Sequence, residues 1–148
     1  MPDCLVVVFD TNVLIPLILP ASRSTRLFLR LLGDAHQVVV SPAILSEVRE
    51  KMLTKSTLWK WLGVSDEQIH RFVDDLAMIC VVVITPSNVP RYVEDDPDDD
   101  PIIAAALQCG AGYVVSEDRH LLRLDGFQGL RVLTRDDFAR ELDRLGVP

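Results

Sequence analysis

The chain has 148 residues, 49 % of them apolar and 25 % charged, which excludes a disordered or fibrous protein and leads us to expect a single domain over 1–148. At this length folding buries roughly 68–70 % of the unfolded surface, enough for a true hydrophobic core. The formal net charge is −7, but six acids crowd into residues 94–100 and the remainder is nearly balanced, so a polyanionic substrate stays admissible.

Leu5–Phe9 is a β-branched apolar run, the pattern of a strand buried on both faces. The apolar stretch 5–19 resembles a signal peptide only superficially. Asp3 stands where a basic region belongs, and Asp10 and Asn12 interrupt the run. Nowhere do about 18 apolar residues follow one another, so no membrane partner is expected. Ser24–Leu32 carries Leu27, Phe28, Leu31 and Leu32 at helical spacing, and Val38–Val40 is a second short strand. Ser41-Pro42 is an N-cap followed by proline, opening a helix through about Met52. Ser65 and Gln68 form a capping box ahead of a helix with Ile69, Phe72, Val73, Leu76 and Ala77 on one face. Val81–Ile84 is a third strand, followed by an acidic, proline-containing loop over about 85–99. Asp100-Pro101 caps a helix over Ile102–Cys109 that Gly110 ends. Tyr113–Val115 and Arg131–Leu133 are further strands, and Thr134 caps a last helix to about Leu145. Cys4, Cys80 and Cys109 form no C-x-x-C motif, which points to reduced thiols and a cytoplasmic location. Strands alternating with helices predict an α/β fold: three layers, α/β/α, Rossmann-like, around a mainly parallel sheet of about five strands.

In such sheets functional groups gather at the carboxyl ends of the strands, a rule that two aspartates fit and that gives two further carboxylates, at a helix start and on a helix flank, their meaning. Asp10 ends the first strand, where it serves equally well as a turn-former. Asp118 stands beyond Tyr113–Ser116, where it also serves as the N-cap of a short helix through Leu121 and Leu122. Asp100, ahead of Pro101, has the makings of a helix start, with Asp98 and Asp99 as solvated neighbours. Glu47 lies roughly 115° from the centre of its helix's apolar stripe (Ile44, Leu45, Val48, Met52), whereas Glu50 lies roughly 175° away and faces solvent. Each residue has an ordinary structural explanation. Together they describe an oxygen-only cluster whose mutual repulsion calls for a cation. Oxygen ligands without a His or Cys set select Mg²⁺ or Mn²⁺ over Zn²⁺. His36, His70 and His120 show no ligand spacing and are expected to be surface or packing residues.

Four segments carry a resemblance. Phe9-Asp10-Thr11-Asn12-Val13-Leu14 comes first, then Ser41-Pro42 with Glu47-Val48-Arg49-Glu50. Asp96-Pro97-Asp98-Asp99-Asp100-Pro101-Ile102-Ile103-Ala104-Ala105-Ala106 follows, and Ser116-Glu117-Asp118-Arg119-His120-Leu121-Leu122 closes the series. In order and spacing these resemble the motifs of PIN domains, nearest to the toxins of bacterial and archaeal toxin–antitoxin systems related to VapC. The resemblance implies an acidic tetrad of Asp10, Glu47, Asp100 and Asp118, supported by Thr11, Asn12 and Ser116. It further implies a Mg²⁺- or Mn²⁺-dependent endoribonuclease leaving a 5′-phosphate and a 3′-hydroxyl, an RNA substrate, a cognate antitoxin and a homodimer. Pro101 after Asp100, and Arg119-His120 after Asp118, depart from the common pattern without removing a carboxylate.

An acidic pocket must still attract RNA. Arg23, Arg26, Arg30, Lys51, Lys55, Lys60 and Arg119 are the candidate bases for its backbone. Trp59 and Trp61, flanked by Leu58 and Leu62, are expected in core or at a dimer interface more readily than stacked on a base. Two other readings stay open: a silent PIN-fold module binding RNA or protein, and a phosphatase of the haloacid dehalogenase type. The latter wants D-x-D, and Asn12 occupies the second position. Neither G-x-G-x-x-G nor G-x-x-x-x-G-K-S/T occurs, which disfavours a nucleotide-binding enzyme.

Overall fold

Five short strands, all parallel, form one sheet in the computed structural model, which describes residues 4–32, 36–85, 92 and 100–148. Asp3, Arg91, Asp98 and Asp99 lie outside the described residues. The strands are β1 (Val6–Phe9), β2 (Gln37–Val40), β3 (Val81–Val82), β4 (Tyr113–Val115) and β5 (Arg131–Leu133), in the order β3-β2-β1-β4-β5. The register sets Val7 against Val38 and Tyr113, Val39 against Val81, and Val114 against Val132. Val7, Val8, Val39 and Val114 are all buried, as unbroken apolar runs require in a sheet covered on both faces.

Eight helices are described: α1 (Thr11–Leu14), α2 (Arg23–Leu32), α3 (Pro42–Thr54), α4 (Ser56–Trp61), α5 (Asp66–Ile79), α6 (Asp100–Cys109), α7 (Arg119–Leu122) and α8 (Arg135–Leu145). They flank the sheet in three layers. α6 crosses the centre, touching β1, β2 and β4 and packing on α3, while α2 and α8 pack on each other and against β2 and β5. None of the described helices is long and apolar enough to cross a membrane.

Local chemistry sets the helix ends. Ser41 Oγ accepts the Ile44 N–H at 3.2 Å with Pro42 opening α3. Around Ser65 both bonds of the capping box form, Gln68 N–H to Ser65 Oγ at 3.1 Å and Ser65 N–H to Gln68 Oε1 at 2.8 Å. Thr134 Oγ1 accepts the Asp137 N–H at 3.1 Å. At the end of α6, Gly110 adopts φ +67, and Ala111 N–H reaches Ala106 O at 2.9 Å while Gly110 N–H reaches Leu107 O at 3.4 Å. This is a Schellman closure, which favours glycine in the left-handed position.

Three elements differ from expectation, the first being the single turn α1 over Thr11–Leu14, where the sequence reading places no helix. β3 is two residues long rather than four, although Val83 N–H still bonds Val40 O at 2.9 Å. As an edge strand with β2 on one side alone, it leaves Val81 and Val82 about 40 % exposed. α4 was not anticipated; its single inward residue, Trp59, joins the core, whereas Trp61 is 82 % exposed.

Candidate active site

The strand order reverses at β1, whose neighbours β2 and β4 lead to opposite sides of the sheet. Such a switch point opens a crevice at the carboxyl ends of the two central strands. Phe9 pairs in register with Val115, and Asp10 N–H bonds Val115 O at 2.9 Å, so Asp10 and Ser116 leave the sheet side by side. Asp10 is only 3 % exposed. Its Oδ1 accepts the Thr11 N–H at 2.7 Å, and its Oδ2 accepts the Ser116 hydroxyl at 2.7 Å. Ser116 Oγ in turn accepts the Asp118 N–H at 2.9 Å, and Asp118 caps α7 by accepting the His120 N–H at 2.8 Å. Turn-forming and capping are therefore both present, and they are what aim these carboxylates at one place.

Burial pushes the Asp10 carboxyl above its ordinary value. The Ser116 hydroxyl, the Thr11 N–H and the Lys51 ammonium oppose that rise, while the nearby Asp118 charge adds to it. A buried anion beside a second anion is a site that draws positive charge.

Glu47 comes from α3, half-buried as the helix geometry predicts, while Glu50 is exposed. Glu47 Oε1 pairs with Lys51 Nζ at 2.8 Å, and the same ammonium donates to Thr11 Oγ1 at 3.1 Å. Thr11, Asn12, Glu47, Lys51, Lys55 and Pro101 line a cleft of about 960 Å³, which Trp59 and Leu58 wall on its apolar side. Asp100 opens α6, which packs on β1 and α3, and stands next to Pro101 at the border of the cleft. It is 6 % exposed, and its Oδ1 accepts the Tyr92 N–H at 2.8 Å. Asp10, Ser116 and Asp118 are thus joined directly, Glu47 joins through Lys51 and Thr11, and Asp100 is tied to the cleft through its neighbour Pro101. Among the described residues, no three His, Cys, Asp or Glu side chains already converge as a metal-binding group.

The predicted bases divide. Lys51 and Lys55 line the cleft, whereas Arg23 and Arg26, together with Arg30, line a separate groove of about 240 Å³ shared with Arg135 and Asp136. There Arg23 pairs with Asp136 at 3.3 Å and Arg30 with Asp143 at 2.8 Å. The acids of α8 hold them, which helical spacing within α2 gives no means of foreseeing. Lys60 pairs with Asp66 at 3.8 Å, and Arg119 is exposed at the start of α7. Asn12 Oδ1 accepts the Glu117 N–H at 3.4 Å, and Glu117 Oε1 holds Arg135 Nε at 2.9 Å. This buttress behind the cleft was missed, since nothing in the sequence links residues 12, 117 and 135. His36 packs as expected, with Nδ1 accepting the Leu5 N–H at 2.9 Å. Cys80 is buried, and burial pushes its thiol up to about 12, which disfavours the thiolate.

The chain belongs to the PIN domain family, whose model matches residues 6–120. Among solved structures it is similar to VapBC2 from Rickettsia felis bound to a DNA fragment from their promoter, with TM-score 0.62 and 15 % identity over 88 % of this chain and 98 % of that one. It is similar as well to PAE2754 from Pyrobaculum aerophilum, with TM-score 0.62 and 14 % identity over 95 % of this chain and 90 % of that one. At these identities the likeness establishes the shared fold. No curated protein matches the chain.

Proposed function

We propose that the chain is a Mg²⁺- or Mn²⁺-dependent endoribonuclease, acting as the toxin of a toxin–antitoxin pair. The observation that carries this reading is the junction of Asp10 with Ser116 and Asp118 at the switch point of the sheet, linked through Thr11 and Lys51 to Glu47 in the adjoining cleft. Family membership and the VapBC2 likeness support it. The donor set fits a hard divalent cation in kind, being all oxygen, and the pocket already takes in one positive charge, the Lys51 ammonium.

Asp10 and Asp118, with Glu47 and Asp100, would hold the ion. When bound, the ion supplies Lewis-acid chemistry, acidifying a water and neutralising charge on the scissile phosphate. The protein's own work is positional. Ser116 and the Thr11 N–H fix both oxygens of Asp10, so its free lone pairs keep one direction. Lys51 and Lys55 attract the RNA backbone to the cleft, and Leu58 and Trp59 give it an apolar wall. A cognate antitoxin and a second copy of the chain complete the proposed assembly. Asn12 accepts a backbone N–H and its amide is no general acid or base, so no observation favours the phosphatase reading.

Asp100 gives the sharpest test of the tetrad. As a mere helix starter it should tolerate Asn, which caps as well as Asp. As a ligand it should not, because the amide lacks the charge that holds a hard cation. Asp100→Asn is expected to melt within a few degrees of wild type yet lose most cleavage of single-stranded RNA and most Mn²⁺ affinity, while Asp98→Asn and Asp99→Asn keep both. Equal losses from all three, or near-normal cleavage by Asp100→Asn, would remove Asp100 from the site.

A further inference from the structure

Lys51 is 40 residues from Thr11 in sequence, yet its ammonium lies 3.1 Å from Thr11 Oγ1 and 2.8 Å from Glu47 Oε1. The same Thr11 hydroxyl faces Asp10 Oδ1 at 3.4 Å. An ordinary i,i+4 pair on a helix surface accounts for the Glu47 contact alone. It does not account for a second contact across to α1, which places the charge between the carboxylates of Asp10 and Glu47.

We propose that Lys51 is the built-in counter-ion of the acidic centre, holding Glu47 and Thr11 in place until a divalent cation is bound, and that cation binding must displace its ammonium. Three features make this a competition. The pocket repels its own anions, so it is stabilised by whichever cation occupies it. Lys51's side chain is about half exposed and ends a flexible four-carbon stem, so the ammonium leaves at small cost and can turn to a substrate phosphate in the cleft. Its release also opens Glu47 Oε1 to the incoming cation. A lysine four residues after an inward glutamate thus tunes cation affinity rather than serving as a backbone clamp only.

The inference rests on the metal-dependent reading, and the experiment separates the two. Mn²⁺ is titrated into the RNA-free protein and free Mn²⁺ is followed by electron paramagnetic resonance, for wild type, Lys51→Met and Lys51→Arg. Removal of one positive charge at contact distance predicts about tenfold tighter Mn²⁺ binding by Lys51→Met, whereas Lys51→Arg stays near wild type. In EDTA, Lys51→Met should melt below wild type, and saturating Mn²⁺ should raise its melting temperature by more than it raises that of wild type. Should Lys51→Met fold poorly, Lys51→Gln provides the same comparison. Mn²⁺ binding by wild type with equal or weaker binding by Lys51→Met overturns the counter-ion role alone. Absence of Mn²⁺ binding by wild type overturns the metal-dependent reading and this inference with it.

Discussion

Asp10→Asn is expected to cleave RNA at least about a hundredfold more slowly than wild type while folding no less stably. The amide keeps an oxygen for the Thr11 N–H and turns its nitrogen to Ser116 Oγ, which has a lone pair to offer. What disappears is a buried negative charge. Because burial raises the Asp10 carboxyl in the folded state, the folded protein holds that proton more tightly than the unfolded chain does. The stability Asp10 contributes is therefore complete below its ordinary value of 3.8 and is lost as pH rises through the raised one. The variant, neutral throughout, escapes that loss. Urea denaturation in EDTA between pH 4 and 8 should show its advantage widening with pH and then levelling. A variant that unfolds, or whose advantage shrinks as pH rises, would make Asp10 a structural residue.

One residue earlier the largest loss of stability is expected. Phe9 is fully buried in β1, with its ring edge-on to Phe28 of α2 at 6.2 Å between centroids. Phe9→Ala removes that ring from a core that cannot close the gap, at a cost of about 3–5 kcal/mol. Against a total stability of about 5–15 kcal/mol for a domain, the variant approaches unfolding at 37 °C. Trp61→Ala removes a larger ring from a site 82 % exposed and should change stability by less than about 0.5 kcal/mol. Equal effects from the two substitutions, measured by urea titration, would contradict the assignment of β1 as the central buried strand.

The contrast between those two aromatics shows what a single chain reveals about itself. β1, β2, β4 and β5 were legible because a strand covered on both faces needs an unbroken apolar run. α3, α5 and α8 were legible through Ser41, Ser65 and Thr134, whose caps act within three residues. α4 was not, since six residues are too few for a periodic stripe and its place is set by burying Trp59. In the site, Asp10 and Asp118 were readable from their positions after strands, and the flank position of Glu47 from helical angles. The bond between Asp10 and Ser116 spans 106 residues, and that between Arg135 Nη1 and Ser24 spans 111. Such pairings are decided by which elements become neighbours, so the diversion of Arg23 and Arg30 to the acids of α8 left no local trace.

Hydrolysis of an end-labelled single-stranded RNA by the purified wild-type chain, with EDTA or with Mn²⁺, tests the central claim most directly. The account predicts no cleavage in EDTA, cleavage restored by Mn²⁺ in the same preparation, and products bearing 5′-phosphate and 3′-hydroxyl ends. Cleavage that persists undiminished in EDTA, or RNA left intact with Mn²⁺ bound, would contradict it.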